Sequence, residues 1–316
     1  MSNIVTLTMN PAVDMGTQTN QVVPERKIRC NPPAYDPGGG GINVSRAIAH
    51  LGGSSKAVYP VGGTNGELFE FLLSKEKNIR RHPVYSKGMT RKNLTVYEES
   101  SGNQYRFGMP GPKLSSEERR ACLTVIKELD SSVDYCVASG SLPEGLGPGF
   151  YGDAADILRE KGIKFILDTS EEELLRGAEK GCYLLKPNIA ELQYLTGQHI
   201  EDESSLPGLI ASTMERYPVE HLVVSLGSDG IMHATRDKPE KADHITAPTV
   251  PIRSKVGAGD SMVAGIVLSL ARGDNFDTAL LYGVAAGTAA VMTPGTELCG
   301  KDDTERLFRH LKEKYE

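Results

Sequence analysis

The chain has 316 residues, 39% of them hydrophobic, and a net charge of -6. That length admits one large α/β domain or two small ones, and that apolar fraction allows a sizeable core. The acidic balance argues against a general nucleic-acid binder while leaving room for a local basic site for a small anion, and no run of about 18 apolar residues is present to span a membrane.

Five cysteines (Cys30, Cys122, Cys136, Cys182 and Cys299) are scattered and never paired as CxxC. They speak against a disulfide framework or zinc site and fit a reducing cytoplasm. The opening MSNIVTLTMN lacks the basic head and long apolar stretch of a secretion signal.

Residues 4–8 read as a strand, 42–51 as the helix after it and 57–61 as a second strand. Apolar runs at 135–138, 165–167, 183–185 and 222–224 read as further strands, with helical stretches such as 117–128 and 151–161 between them. Ser115 and Glu118 have capping-box spacing. This alternation predicts a doubly wound, mostly parallel sheet with helices on both faces. Two regions break it. Residues 17–35 are polar, Pro-containing and strand-like, and 91–108 read as two strands joined at Ser101-Gly102-Asn103. Together they predict a small accessory sheet. Residues 302–316 read as a charged surface helix.

Two glycine motifs carry the chemistry. The first, Asp36-Pro-Gly-Gly-Gly-Gly-Ile-Asn43, runs straight into a helix. Consecutive glycines are entropically costly, and they make sense where bare backbone must lie against a ligand or where a helix N-terminus meets an anion. A flexible turn is the bland alternative. The second, Val256-Gly-Ala-Gly-Asp-Ser261, precedes the apolar helix 262–271 and sets the carboxylate of Asp260 among N–H donors. It reads either as an ordinary N-cap or as a base beside an anion hole, the pair that a hydroxyl attacking a γ-phosphate requires. The helix dipole is expected to keep Asp260 ionised. No Walker A loop occurs, and the first motif lacks the spacing of a dinucleotide fingerprint, which disfavours a nicotinamide dehydrogenase.

An early G-G-G-x-N and a late G-A-G-D about 220 residues later resemble the paired signatures of the phosphofructokinase B sugar-kinase family, within the ribokinase-like superfamily. Thr6-Leu-Thr8 with Pro11 and Asp14, Thr90-Arg91, Ser139-Gly-Ser-Leu-Pro143, Lys186-Pro-Asn188 with Glu191, Val224-Ser-Leu-Gly227 and Gly283-Val-Ala-Ala-Gly287 fall in family order over nearly the whole chain. The pattern is most similar to the minor-isozyme type of bacterial 6-phosphofructokinase. The resemblance implies a single ribokinase-like domain over residues 1–316, with a β-sheet lid from segments near 17–35 and 91–108 that packs against a second subunit in a homodimer. It implies Mg-ATP and a sugar phosphate as ligands, with no nucleic acid or membrane partner.

Site roles follow from the resemblance, each beside a plainer alternative. Asp260 is expected as the base, with Gly257, Ala258 and Gly259 as anion hole. Asp14, Gly39, Gly40, Gly41, Asn43, Ser139 and Ser141 are expected on the sugar, although Asp14 alone reads as a turn residue and Asn43 as a cap. Arg91, Lys27 and Arg106, with Arg29 a further candidate, are expected on the sugar's phosphate, which suits forked guanidinium contacts. Taken singly, each is more simply a solvated surface charge. Lys186, Asn188, Ser225, Gly227 and Gly287 are expected on ATP, and Asn188 with Glu191 on Mg²⁺ through water. Helix capping by Asn188 and tight helix packing at Gly287 are the plainer readings. A K⁺ loop is implied at Ser254, Val256, Ala290, Thr293 and Gly295. Tagatose-6-phosphate kinase, fructose-1-phosphate kinase and a catalytically silent sugar-phosphate sensor stay open as alternatives.

Overall fold

The computed structural model describes residues 3–200 and 202–316; Met1, Ser2 and Glu201 of the domain expected over 1–316 lie outside it. In chain order the strands are β1 (Ile4–Leu7), β2 (Ala12–Thr19), β3 (Ala34–Gly38), β4 (Ser55–Val61), β5 (Ile79–Tyr85), β6 (Arg91–Glu98), β7 (Gln104–Phe107), β8 (Tyr135–Ser139), β9 (Lys164–Asp168), β10 (Cys182–Leu185), β11 (Val219–Ser225), β12 (Ile231–Thr235) and β13 (Lys238–Ile245). The helices are α1 (Gly40–His50), α2 (Gly63–Leu73), α3 (Ser116–Lys127), α4 (Phe150–Glu160), α5 (Glu171–Lys180), α6 (Ile189–Thr196), α7 (Leu206–Arg216), α8 (Ala258–Ala271), α9 (Phe276–Val291) and α10 (Lys301–Tyr315).

A nine-stranded sheet runs β13-β12-β11-β10-β9-β8-β1-β4-β5. It is parallel from β5 to β11 and antiparallel at β12 and β13. The period-2 alternation of its strands divides the core. Ile4, Val137, Ile166, Leu184 and Val223 face the side of α1, α8, α9 and α10. Val5, Leu7, Ala138, Leu167, Leu185 and Val224 face the side of α3 to α7. Being covered on both faces explains why these strands read as short apolar runs. Ser115 and Glu118 form the expected capping box at α3.

A second, four-stranded sheet has the order β3-β2-β6-β7. The pairing of β6 with β7 is the expected hairpin, and β2 pairs parallel with β6. The other expected segment is displaced: no strand occupies residues 20–33, and the sheet uses β2 and β3 on either side of it. Pro24, Pro32 and Pro33 remove ladder donors from that stretch, and Glu25 takes a positive φ of 58°. The antiparallel pair β12–β13 was not anticipated, because the polar Lys238–Ile245 has only one buried residue. The C-terminal helix is amphipathic rather than purely superficial: Thr304, Leu307 and Leu311 are buried.

Beneath the N-terminus of α9, His221 stacks on Phe276 with ring centroids 3.6 Å apart, and His233 lies 6.2 Å from His221. Nδ1 of His221 and Nε2 of His233 are buried without hydrogen-bond partners. Burial, then His233, pushes the pKa of His221 down to about 4. The folded state therefore prefers neutral His221, while the unfolded chain protonates near its ordinary value of about 6.5. Stability from this site is present above about pH 6.5 and is lost as pH falls towards 4. Denaturant melts of His221→Phe should show a shallower loss over that window than the parent, by on the order of 2 kcal/mol at its foot. Identical pH slopes would remove His221 as the cause.

Candidate active site

The parallel strands deliver one polar residue after another to the C-terminal edge of the large sheet, where open α/β folds bind ligands. Ser139 ends β8 and stands in register with Asp168, which ends β9. Lys186 follows β10, its N–H bonded to the Leu167 carbonyl at 3.1 Å. Asn188 then bridges to Ser225 at the end of β11. Asp14 reaches the same region from β2, and the N-termini of α1 and α8 close over it.

The glycines of the first motif are needed for this closure. Gly39 has φ of 109°, a conformation that L side chains rarely adopt. A Cβ on Gly40 would lie 2.2 Å from Ser139 Oγ. Whatever else they do, these glycines let the start of α1 touch the ends of β1 and β8. Asn43, in the first turn of α1, donates from Nδ2 to Asp260 Oδ2 at 2.9 Å. It is not the cap, which is Gly39. Ser139 Oγ donates to the other Asp260 oxygen at 3.3 Å.

Asp260 lies in the first turn of α8, whose N-cap is Gly257 in the left-handed region. Burial, then the charge of Asp168, pushes its pKa up to about 6, while the Asn43, Lys186 and Ser139 contacts pull the other way. The dipole was expected to keep this carboxyl ionised; desolvation raises its proton affinity, yet at about 6 it is still mostly a carboxylate at neutral pH.

Asp168 escaped the sequence reading. It accepts an ion pair from Lys186 at 3.0 Å, and the lysine is 4% exposed. Burial opposes the Lys186 ammonium, but Asp168, then Glu191 and Asp260, outweigh it and hold the pKa above the ordinary lysine value. The ammonium lies beside Gly259, 3.6 Å from where a Cβ would stand, which brings it to the second glycine motif. The signal for Asp168 was available: an acid directly after the apolar run 165–167, as Asp14 follows the first strand region.

Asn188 and Glu191 form a reciprocal capping box at α6, the plainer of the two readings. Burial raises the Glu191 pKa, opposed first by the Asn188 backbone. Among the described residues no group of three or more His, Cys, Asp or Glu gathers as a ready metal site, so a divalent ion here would keep waters and substrate oxygens in its shell. Gly287 packs against the Ala258 carbonyl and Met262 between α8 and α9. In the loop expected to hold K⁺, Ser254 Oγ donates to the Gly295 carbonyl at 2.7 Å and receives the Val256 N–H at 3.2 Å. Thr293 Oγ1 contacts the Ala290 carbonyl at 2.8 Å. The hydroxyl and carbonyl groups here are oxygen donors, the ligand type that hard cations take.

In the small sheet, strand register puts Asp14, Arg91, Asn93 and Arg106 on one face. Asp14 accepts from Asn93 at 2.8 Å, and burial raises its pKa, opposed first by Asn93 and then by Arg91. Arg91 donates from Nε and Nη2 to the Asn10 carbonyl at 3.2 and 2.8 Å and from Nη1 to the Met109 carbonyl at 3.3 Å. Two of its five donors remain. Asn10 Nδ2 donates to Ser141 at 3.2 Å. The buried Thr8 Oγ1 and Asn10 Oδ1 at this strand end have no partners, polar atoms that sequence reasoning did not single out. Lys27 and Arg29 lie on the exposed stretch between β2 and β3, and nothing in the structure brings their side chains into the cluster.

Fold and site define a phosphotransferase of the doubly wound α/β class. The pattern of the pfkB family of carbohydrate kinases matches residues 7–303, and the chain belongs to that family. It is 41% identical over 305 residues to the ATP-dependent 6-phosphofructokinase isozyme 2 of Mycobacterium tuberculosis, covering 96% of this chain and 88% of the relative. It is 39% identical over 312 residues to the Escherichia coli protein of the same name, covering 98% and 99%. Identity falls to 31% with the 1-phosphofructokinase of Bacillus subtilis and 30% with the tagatose-6-phosphate kinase of Staphylococcus epidermidis, with 98% of each covered. The crystal structure of the E. coli phosphofructokinase-2 in complex with fructose-6-phosphate superposes with a TM-score of 0.91 at 38% identity, covering 99% of this chain and 100% of the other.

A carboxyl accepts a proton only when ionised, so a phosphoryl transfer that used Asp260 as its base would fail as pH falls through about 6. Asn43→Ala removes a bond that favours the carboxylate, so the acidic limb of the pH–rate profile should move upward and turnover at pH 6 should drop roughly threefold or more. A substrate phosphate titrates alike in both proteins, so the difference between the two profiles isolates Asp260. Superimposable profiles would dismiss Asn43 as its partner.

Proposed function

We propose that this chain transfers the γ-phosphoryl group of ATP to the 1-hydroxyl of fructose 6-phosphate, giving fructose 1,6-bisphosphate and ADP. The observation that carries the reading is Asp260, raised to about 6 at the N-terminal turn of α8 with Lys186 and Gly259 beside it. Asp260 takes the hydroxyl proton as the new O–P bond forms and the bond to ADP breaks. The amides of Gly257, Ala258 and Gly259, with Lys186, face the charge on the transferred group. Asn43 and Ser139 orient the base, and Asp168 holds Lys186. Mg²⁺ arriving with ATP would neutralise phosphate charge, with Asn188 and Glu191 its contacts through water. Ser225, Gly227 and Gly287 serve the nucleotide, and the Ser254 to Val256 and Ala290 to Gly295 loops a monovalent cation. The higher identity to 6-phosphofructokinases than to 1-phosphofructo and tagatose-6-phosphate enzymes favours fructose 6-phosphate.

The small sheet acts as a lid over the sugar, presenting Asp14 to hydroxyls and Arg91, with Arg106, to the 6-phosphate. Its opposite face carries Met15, Tyr35, Leu94, Val96 and Phe107, with Tyr35 37% and Phe107 48% exposed. An apolar face of this kind supports a homodimer through paired lids. Unpaired cysteines, four of them buried, suit a reducing, cytoplasmic setting.

Steady-state assays with Mg-ATP across fructose 6-phosphate, tagatose 6-phosphate and fructose 1-phosphate test the reading. Fructose 6-phosphate should give the highest kcat/KM, and Asp260→Asn should lower its turnover at least about 100-fold. A higher kcat/KM for either other sugar would replace the substrate, and binding without turnover would make the protein a sensor.

Arg91→Ala should raise the KM for fructose 6-phosphate about tenfold, because it removes a charge-assisted contact to the phosphate and the clamp on Asn10 and Met109. Arg91→Lys should recover only part, since an ammonium lacks the fork. The KM for ATP should hardly move. Saturation curves in which ATP suffers and the sugar does not would place Arg91 at the wrong end of the site.

A further inference from the structure

A bond between Thr296, in the segment between α9 and α10, and Asp36 on β3 joins that segment to the small sheet. Thr296 Oγ1 donates to Asp36 Oδ2 at 2.6 Å. The other carboxylate oxygen accepts from Arg46 Nη2 at 3.3 Å. Arg46, on α1, is buried and already committed to Glu76 at 2.7 Å and to the Pro37 carbonyl at 3.3 Å. Asp36 sits directly opposite Asp14 in the β2–β3 register, and like charges facing each other across strands repel. Its charge also adds to the upward push on Asp14. Arg46 and Thr296 fix both oxygens of Asp36 and so hold its charge in place beside the sugar-side acid.

The segment carrying Thr296, between α9 and α10, touches the phosphate-side loop as well. Leu298 lies against Gly257, where a Cβ would approach its Cδ2 to 2.5 Å. The Gly295 carbonyl holds Ser254, and the Cys299 N–H reaches Ser261 Oγ at 3.4 Å. One short segment therefore meets the loop before α8, its N-cap and its first turn at one point each, and the small sheet at one.

We propose that Thr296 is a positioning residue: its hydroxyl ties β3 to the anion-hole loop and sets the distance and charge at which Asp14 meets the sugar. This rests on the reading of the small sheet as the sugar's lid. Cutting the tie frees one Asp36 oxygen, loosens β3 and lets its charge swing towards Asp14, while Asp260, Lys186 and the α8 N-terminus keep all their contacts. The consequence belongs to sugar binding and not to the chemical step.

Thr296→Val keeps the shape and deletes the donor; Thr296→Ser restores the donor and deletes a methyl. In Thr296→Val the KM for fructose 6-phosphate should rise roughly three- to tenfold, in keeping with loss of one hydrogen bond to a charged group. Its kcat should stay within about twofold and its KM for ATP should not change, and Thr296→Ser should return the KM to the parent value. In the unliganded proteins, amide hydrogen exchange over residues 34–38 should be faster in Thr296→Val and restored in Thr296→Ser. A KM and an exchange rate unchanged in Thr296→Val would overturn the proposal, as would a loss confined to kcat. If the parent does not turn over fructose 6-phosphate, the substrate reading falls, and the exchange measurement alone decides for or against the tie.

Discussion

A base that serves phosphoryl transfer must be dry enough to want a proton and supported enough to remain an anion. Asp260, proposed as that base, stands at that balance. Burial and Asp168 push its proton affinity up, while Asn43, Lys186 and Ser139 restrain it. Each restraint comes from a different element: α1, the end of β10 and the end of β8. The packing of α1 and α8 on the strand ends is therefore also the electrostatic setting of the base, and the glycines that allow α1 to come so close belong to that setting.

The same logic reaches the buried Lys186. An isolated ammonium at 4% exposure would give up its proton, and Asp168 prevents this. Yet Asp168 also disfavours the charge on Asp260, so the acid that keeps the cation charged makes the neighbouring base more basic. Two opposite demands are met by one carboxylate at the end of β9.

Much of the large sheet was legible because strands covered on both faces must be apolar throughout, and Pro, Gly and charged stretches mark where they stop. The hairpin of β6 and β7 was legible from Ser101-Gly102-Asn103. What escaped has physical reasons. β13 is a largely exposed edge strand with hardly any apolar pattern, and the stretch 20–33 has strand-like composition but too many prolines to pair. In the site, Asp260, Asn43 and Lys186 announced themselves through glycine-rich or turn contexts. Asp168 sits in a context no different from any strand-end acid, and its importance comes from Lys186, which is adjacent only after folding. The role of Asn43 likewise depends on a contact spanning 217 positions.

The cysteines carry a practical consequence. Burial pushes the thiols of Cys122 and Cys299 up to about 12 and 11, and those of Cys136 and Cys182 upward as well, so none of the four offers a thiolate near neutral pH. Cys30 alone is exposed, on the stretch between β2 and β3. The natural sequence thus comes with a single addressable thiol beside the small sheet. A maleimide dye placed there would report on the surroundings of that sheet with every native residue still in place.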